Sequence, residues 1–315
     1  MRNKVTLQIS LAPPDFPLTK HLLVHQLNAL IGQVDEVILT VDTKPSKGRF
    51  AEGWSEYKTL LDDFLKNMIQ PNYQVKIIPV DYSPTMMKAV AQFFFGTTDI
   101  PAKDFRGGPF YAYFFGLFRA TNDFVLHLDS DMFLGGRSDS WVEEAIALMN
   151  TDNQCIITSP LPGPPHPKKI LVGQSNYTEI GEYTYAFEGM STRIFMLDRR
   201  VFSKRKLSLS KPALKNLLKA LIKGNPVFDL PEHLISSFMR EHNYKRVDLL
   251  GTSTGMWSLH PPYRTAGFYL ELPNLIARVE KNDLPSGQSG FYDISDTLFD
   301  WSEARLRLRK KKWII

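Results

Sequence analysis

The sequence predicts an α/β fold whose sheet is mostly parallel and flanked by helices. Three observations carry this. The first third of the chain alternates strand-like and helix-like patterns. A strongly apolar segment, Phe124–Leu128, runs directly into Asp129-Ser130-Asp131. The composition of the 315 residues, 43% apolar and 23% charged, is that of a globular protein with ample core.

Taken in order, Val5–Ser10 alternates and is β-branched, which predicts a strand. Leu18–Ile31 carries Leu22, Leu23, Leu27 and Leu30 on one helical face. Glu36–Val41 (EVILTV) reads as a short buried strand, Ser55–Ile69 as a helix stopped by Pro71-Asn72, and Gln74–Val80 as a third strand. A β-α-β-α-β order implies parallel strands, whose ligands bind beyond the carboxyl ends. Asp42 and Asp81 stand at two such ends. Each also reads as an ordinary turn or cap residue.

Pro109–Ala120 is helical, Phe124–Leu128 a strand, Trp141–Asn150 a helix and Gln154–Thr158 a strand. The proline-rich Leu161–Lys169 reads as a loop between the halves, and Tyr185–Leu197 as extended chain. Lys211–Lys223 is an amphipathic helix with Ser210 as N-cap, Pro212 in the first turn and Gly224 at its end. Pro231–Arg240 opens another helix. Met86–Phe95 and Leu161–Gly173 carry no assignment.

Charge and cysteine content exclude several classes. Of 38 basic and 33 acidic residues, six basic and one acidic lie in Trp301–Ile315, so residues 1–300 hold 32 of each. The excess of positive charge belongs to a tail, and no nucleic-acid-binding surface is expected. One cysteine, Cys155, allows neither an internal disulfide nor a Cys-based zinc site, and fits a reducing compartment. The start of the chain has no apolar stretch of signal-peptide length, and no run approaches the ~18 residues of a membrane span. A soluble, cytoplasmic protein is expected.

The sharpest chemical feature is the Asp129-Ser130-Asp131 step. Side chains at i and i+2 of a strand share a face, so both carboxylates can address one hard cation such as Mg²⁺ or Mn²⁺, with phosphate oxygens completing its shell. A strand ending in an acidic turn would look the same. His260, in Trp257-Ser-Leu-His260-Pro-Pro, is a candidate third ligand or a packed histidine before a turn. Arg106, ahead of Gly107-Gly108, suits a phosphate or a flexible exposed turn. The G-x-x-x-x-G-K-[ST] phosphate loop is absent.

Arg106-Gly-Gly-Pro-Phe-Tyr-Ala112, Gly116-Leu-Phe-Arg-Ala120, Asp123-Phe-Val125 and Leu128-Asp-Ser-Asp131 together resemble the core of GT-A glycosyltransferases, most closely family 2. The likeness spans about residues 5–260, strong over 106–131 and loose elsewhere. It implies a GT-A-like fold with a Rossmann-like sheet and a C-terminal helical, basic extension. It further implies a metal-dependent glycosyltransferase of the hexosyl kind, with a nucleoside-diphosphate sugar as donor and UDP favoured. Asp42, Asp81, Arg106 and Ser130 would contact the nucleotide, and Asp129, Asp131 and His260 the metal. Pro231-Glu232 through Tyr244-Lys-Arg resembles the family's catalytic helix, which places Glu232 as the base of an inverting transfer to a hydroxyl acceptor; Asp229 is the substitute. A first-turn Glu is also common as a plain helix acid. Residues 1–135 would form the nucleotide and metal half, 136–290 the acceptor and catalytic half, and 291–315 a basic tail. Two departures are plain: Phe115 stands where the family has Asn, and Pro231-Glu232 replaces Glu-Asp.

Other readings remain open. A phosphohydrolase also uses Asp-x-Asp after a strand, but on the first strand. A sugar nucleotidyltransferase would carry a glycine-rich basic loop, missing from Leu11–Pro17. A non-catalytic membrane-surface module with a degenerate sugar-nucleotide fold is the third. Lys211, Lys215, Lys219 and Lys223 stripe one face of their helix, with Leu214, Leu217, Leu218 and Leu221 on another. Alone, that is a helix with its leucines in the core. With the tail Arg305–Lys312 and Trp313-Ile-Ile315, it suggests contact with the inner face of an anionic membrane, where a lipid-linked or polysaccharide glycan would serve as acceptor.

Overall fold

The computed structural model describes residues 3–46, 51 and 53–312. Its order is β1 (Val5–Leu11), α1 (Phe16–Leu30), β2 (Glu36–Val41), α2 (Trp54–Phe64, continued by a π turn over Leu65–Ile69), β3 (Lys76–Pro79), α3 (Pro84–Phe95) and α4 (Tyr111–Arg119). Then come β4 (Phe124–Asp129), β5 (Phe133–Gly135), α5 (Trp141–Thr151), β6 (Cys155–Pro162), β7 (Tyr177–Gly181), β8 (Thr184–Phe187) and β9 (Ile194–Asp198). Last are α6 (Val201–Lys204), α7 (Leu214–Ile222), α8 (Pro231–Glu241), β10 (Lys245–Leu249), β11 (Trp257–Leu259), α9 (Ala266–Glu280) and α10 (Ser302–Lys312).

The main sheet runs β3-β2-β1-β4-β9-β6-β10-β8-β7. β1 pairs parallel with β2 and β4, β2 with β3, and β6 with β10. β9 runs antiparallel between β4 and β6, so the parallel strands all end on one edge, and β9 begins there. The expected α/β class with a largely parallel, helix-flanked sheet is therefore the class observed.

The pattern of β1 shows how the layers arise. Val5, Leu7, Ile9 and Leu11 face Leu23, Leu27 and Leu30 of α1, together with α2 and α5. Each fully buried leucine contributes about 2 kcal/mol. On the other face, β4, β6 and β9 meet α3, α4, α6 and α8 through an aromatic core including Phe94, Phe114, Phe195 and Phe202. A third cluster joins the β5–β11 ribbon to α9 through Phe133, Trp257, Phe268 and Trp301. Gly116 lets α4 close on β1: a Cβ there would stand 2.7 Å from the Gln8 side chain. Phe115 lies in the aromatic core, 1% exposed.

Several expectations need correction. The extended stretch 185–197 is two strands, β8 and β9, separated by residues 188–193. Met86–Phe95 belongs to α3, which is capped by Ser83. The helix expected over 211–223 begins at Leu214 with Ala213 as its N-cap; the Ser210 carbonyl instead accepts from the Asp229 amide. Its leucines are not in the core: Leu214, Leu218, Leu221 and Ile222 are 71, 53, 59 and 86% exposed. The tail is helical over Ser302–Lys312, and Trp301 is buried against Tyr263, Phe268 and Phe299. Trp313, Ile314 and Ile315 lie outside the described residues. No helix among the described residues is long and apolar enough to cross a membrane.

Candidate active site

The site forms where β4 ends. The Asp129 amide donates to the Arg193 carbonyl at the start of β9, 2.7 Å away. Gln26 of α1 donates to the carbonyls of Asp129 (3.0 Å) and Met132 (2.9 Å). These bonds fix the turn that carries Asp129, buried Ser130 and Asp131 into β5.

The two carboxylates meet different partners. Asp131 Oδ2 accepts from Arg264 Nη2 at 2.9 Å, and Arg264 also grips Asp15, just beyond β1. His260 Nε2 stands 3.8 Å from the same oxygen. Asp131 Oδ1 is buried without a hydrogen-bond partner. Asp129 lies 3.5 Å from His127 Nε2, and His127 Nδ1 is held by Gln8.

His260 is held from behind. Its Nδ1 lies 2.9 Å from Asp293 Oδ1, and its ring stacks on Tyr292 with 6.0 Å between centroids. A carboxylate only accepts, so Nδ1 donates to Asp293, and Nε2 is the ring nitrogen turned toward Asp131. The backbone supports this: the His260 amide donates to Tyr292 and its carbonyl accepts from Ile294.

Electrostatics separate the pair. Burial raises the Asp129 carboxyl above the usual range; His127 opposes this, and the charges of Asp131 and Asp15 add to it. Its side chain is 40% accessible. Asp131 goes the other way. Burial raises it too, but His260, Arg264 and Arg193 together pull it below the usual range, so it stays ionised.

The other sequence candidates are distributed around this centre. Asp42 is buried and engaged by Lys103 Nζ (2.9 Å) and the Tyr82 hydroxyl (2.7 Å). Asp81 is exposed; its carboxylate caps the Ser83 amide, and its carbonyl accepts from the Tyr111 hydroxyl at 2.6 Å. Arg106 is exposed on a turn whose amides, at Arg106 and Gly108, donate to Asp104 Oδ1. Glu232 opens α8 and lies 3.4 Å from the Thr192 hydroxyl, next to Arg193. Asp229 Oδ1 is tied to His233 and to the Leu230 amide, both at 2.8 Å.

Sequence reading missed Asp15, Arg193, Arg264 and Asp293. Arg264 follows His260 by four residues, the one local signal available; the others come from distant segments.

Among the described residues, no three His, Cys, Asp or Glu side chains converge closely enough to enclose an ion. Asp131 and His260 do offer two ligand atoms: the buried Oδ1 of Asp131, which has no partner, and Nε2 of His260, whose ring Asp293 holds through Nδ1. This donor set fits a hard divalent cation that takes its remaining ligands from phosphate oxygens.

No family model and no curated protein matches the chain. Solved structures similar to it include a UDP-glucose pyrophosphorylase complexed with UDP-glucose, with 11% identity and a TM-score of 0.43 over 88% of this chain and 99% of that one. A mannosyltransferase from Pyrobaculum calidifontis in complex with GDP-Man and Mn²⁺ is 10% identical, with a TM-score of 0.44 over 89% of this chain and 63% of that one. Glucosyl-3-phosphoglycerate synthase from Mycobacterium tuberculosis, with Mn²⁺, UDP and phosphoglyceric acid, is 9% identical, with a TM-score of 0.38 over 88% and 77%.

Proposed function

We propose that the protein is a metal-dependent glycosyltransferase that moves a sugar from a nucleoside diphosphate, UDP by preference, to a hydroxyl acceptor. One observation carries the reading. At the carboxyl edge of the parallel strands, Asp131 keeps Oδ1 without a partner while its Oδ2 lies 3.8 Å from Nε2 of His260, a histidine held by Asp293.

A divalent cation bound by Asp131 and His260, with Asp129 beside them, would stabilise the negative charge that gathers on the departing diphosphate. Arg264 and Arg193 supply fixed positive charge at the same place. Asp42, Asp81, Arg106 and Ser130 would contact the nucleotide, with Asp42 acting through Lys103 and Tyr82. Glu232 would accept the acceptor's proton in an inverting transfer. It stands in the first turn of α8. Residues 1–135 then bring the donor contacts and the metal-binding carboxylates, and 136–290 bring His260 and serve the acceptor.

Calorimetry with UDP and GDP, in Mn²⁺ and in EDTA, tests this. Metal-dependent binding of one nucleotide, lost in Asp131→Ala, is expected. Absence of binding to either would overturn the reading and favour the phosphohydrolase or non-catalytic alternatives.

The proposal extends to an anionic membrane surface as the place of work. The four exposed apolar residues of α7 lie beside Lys215, Lys219 and Lys223, and α10 adds Arg305, Arg307 and Arg309. Apolar insertion and attraction of about 1 kcal/mol per basic residue act together on such a surface. Co-sedimentation with phosphatidylserine vesicles at low salt should be lost in Leu218→Lys/Ile222→Lys. A wild-type chain that stays in the supernatant would sink this part.

A further inference from the structure

Residues 211–229 form a strap that contributes no strand to the sheet, with α7 at its centre. Only Pro212 and Ala220 of these residues are buried. Two sets of bonds tie the strap down, and both lead to the proposed site. The Asp229 amide donates to the Ser210 carbonyl at 3.0 Å, which closes the two ends on each other just before α8 opens at Pro231. Past α7, the Asn225 amide donates to the Ala220 carbonyl at 2.9 Å, and its side-chain Nδ2 donates to the Phe105 carbonyl at 3.2 Å. The Phe105 amide in turn donates to the Phe228 carbonyl at 2.9 Å. Both backbone groups of Phe105 are therefore held by the strap.

Phe105 sits in the turn that carries Arg106. Asp104 holds that turn from within through the Arg106 and Gly108 amides. Lys103 anchors its base to Asp42 and to the Lys44 carbonyl, both at 2.9 Å. A displacement of the strap is thus a pull on the Arg106 turn and on the first turn of α8, which carries Glu232. An element with so few buried contacts opens at low cost. The exposed leucines of α7 add nothing to its hold. Charge decides what would cover them: residues 211–228 hold four lysines and no acidic residue. A second copy would set lysines against lysines, whereas an anionic lipid surface answers both the charge and the leucines.

We infer that an anionic membrane regulates this protein through the strap: docking of α7 orders the strap and, through Asn225 and Phe228, firms the turn that carries Arg106. This rests on the membrane contact proposed above and adds what that contact does. The surface supplies burial that the fold leaves out, so it binds the ordered strap better than the open one and shifts the population toward it. Coupling of this kind is reciprocal. A nucleotide that binds better to the ordered turn raises the affinity for the membrane by the same factor as the membrane raises its own.

Hydrogen exchange read by mass spectrometry on the full chain at low salt tests the coupling. Phosphatidylserine-containing vesicles, pure phosphatidylcholine vesicles and buffer alone are compared, with co-sedimentation run on each sample. With phosphatidylserine, amides in 103–109 should exchange at least about fivefold more slowly, the low end of ordinary coupling between sites. Phosphatidylcholine should leave them unchanged; equal slowing there would overturn the role of charge. Asn225→Ala keeps every leucine and lysine of α7, so it should sediment like the wild type but lose most of the slowing. Undiminished slowing in that variant would mean that lipid only shields the turn, and would overturn the inference. If Asn225→Ala fails to fold by circular dichroism, Asn225→Asp, which keeps the size and loses the donor, replaces it. A wild-type chain that sediments with unchanged exchange in 103–109 would also overturn the inference and leave the membrane contact intact. A chain that stays in the supernatant would remove both. Slowed exchange without UDP binding by calorimetry would uphold the coupling and overturn the donor-site reading instead.

Discussion

Asp293 tests most directly whether His260 is a metal ligand. Its carboxylate accepts from His260 Nδ1 at 2.9 Å, fixing the tautomer and adding negative charge behind the ring. Removing such an outer-shell partner typically weakens metal binding 10–100-fold. The Asp293 side chain is 54% exposed, so solvent screens its charge and the low end applies: about tenfold, or ~1.4 kcal/mol, for Asp293→Ala. The backbone bridge from His260 to Tyr292 and Ile294 survives the change, so the fold should not suffer. Asp293→Asn keeps an acceptor oxygen and loses only the charge, so it should fall between the two. Titrating the free Mn²⁺ signal by electron paramagnetic resonance, with UDP present, reads the affinity without relying on turnover. Binding to Asp293→Ala indistinguishable from wild type would refute the argument and return His260 to a packing role.

Gly135→Ala should destabilise the β5–β11 ribbon. The new Cβ would stand 2.0 Å from the ring of Trp257, which is 1% exposed and has no room to retreat. Overpacking of this kind costs about 3 kcal/mol, and thermal unfolding should shift down by roughly 6 °C; an unchanged Tm would show that the ribbon yields. Glu36 ties β2 to β1, β3 and the chain ahead of β4. Burial raises its carboxyl, but Lys76, Thr121 and Thr6 bring it down from 4.5 to about 2. Because the folded value is the lower one, its stabilisation is fully present above about 4.5 and is lost as pH falls toward about 2. Discounted for solvent screening, that is about 1–2 kcal/mol. Denaturant unfolding across this window should show the slope in the wild type and a shallower one in Glu36→Gln; equal slopes would remove Glu36 as the cause.

What could be read from the sequence follows from where burial is simple. β1, β2 and β4 are apolar runs covered on both faces, and they appear nearly to the residue. β10 does not announce itself, because Lys245-Arg-Val-Asp-Leu hides an ion pair inside the sheet. β11 is three residues long, and α9 carries Pro273 within it. For α7 the periodicity gave an apolar face correctly; whether anything covers that face is a tertiary fact no local pattern contains. The same limit explains the site. Asp129 and Asp131 were visible as a strand end, and His260 as a candidate. Asp15, Arg193, Arg264 and Asp293 owe their roles to elements far away in the chain, and an isolated Arg or Asp in a loop looks like solvated charge.

The grip of Arg264 on Asp131 and Asp15 spans 133 and 249 positions of sequence. During synthesis, the strands that carry Asp15 and Asp131 therefore emerge and pair long before their cation exists. Until then Asp131 lacks the cation that bonds it directly. Contacts of such long range close last, at the full entropic cost of the intervening loop. The centre can therefore be complete only after the segment from His260 to Asp293 has been made and has docked. A ribosome-bound fragment ending before that segment would hold the sheet's first four strands with the site still open.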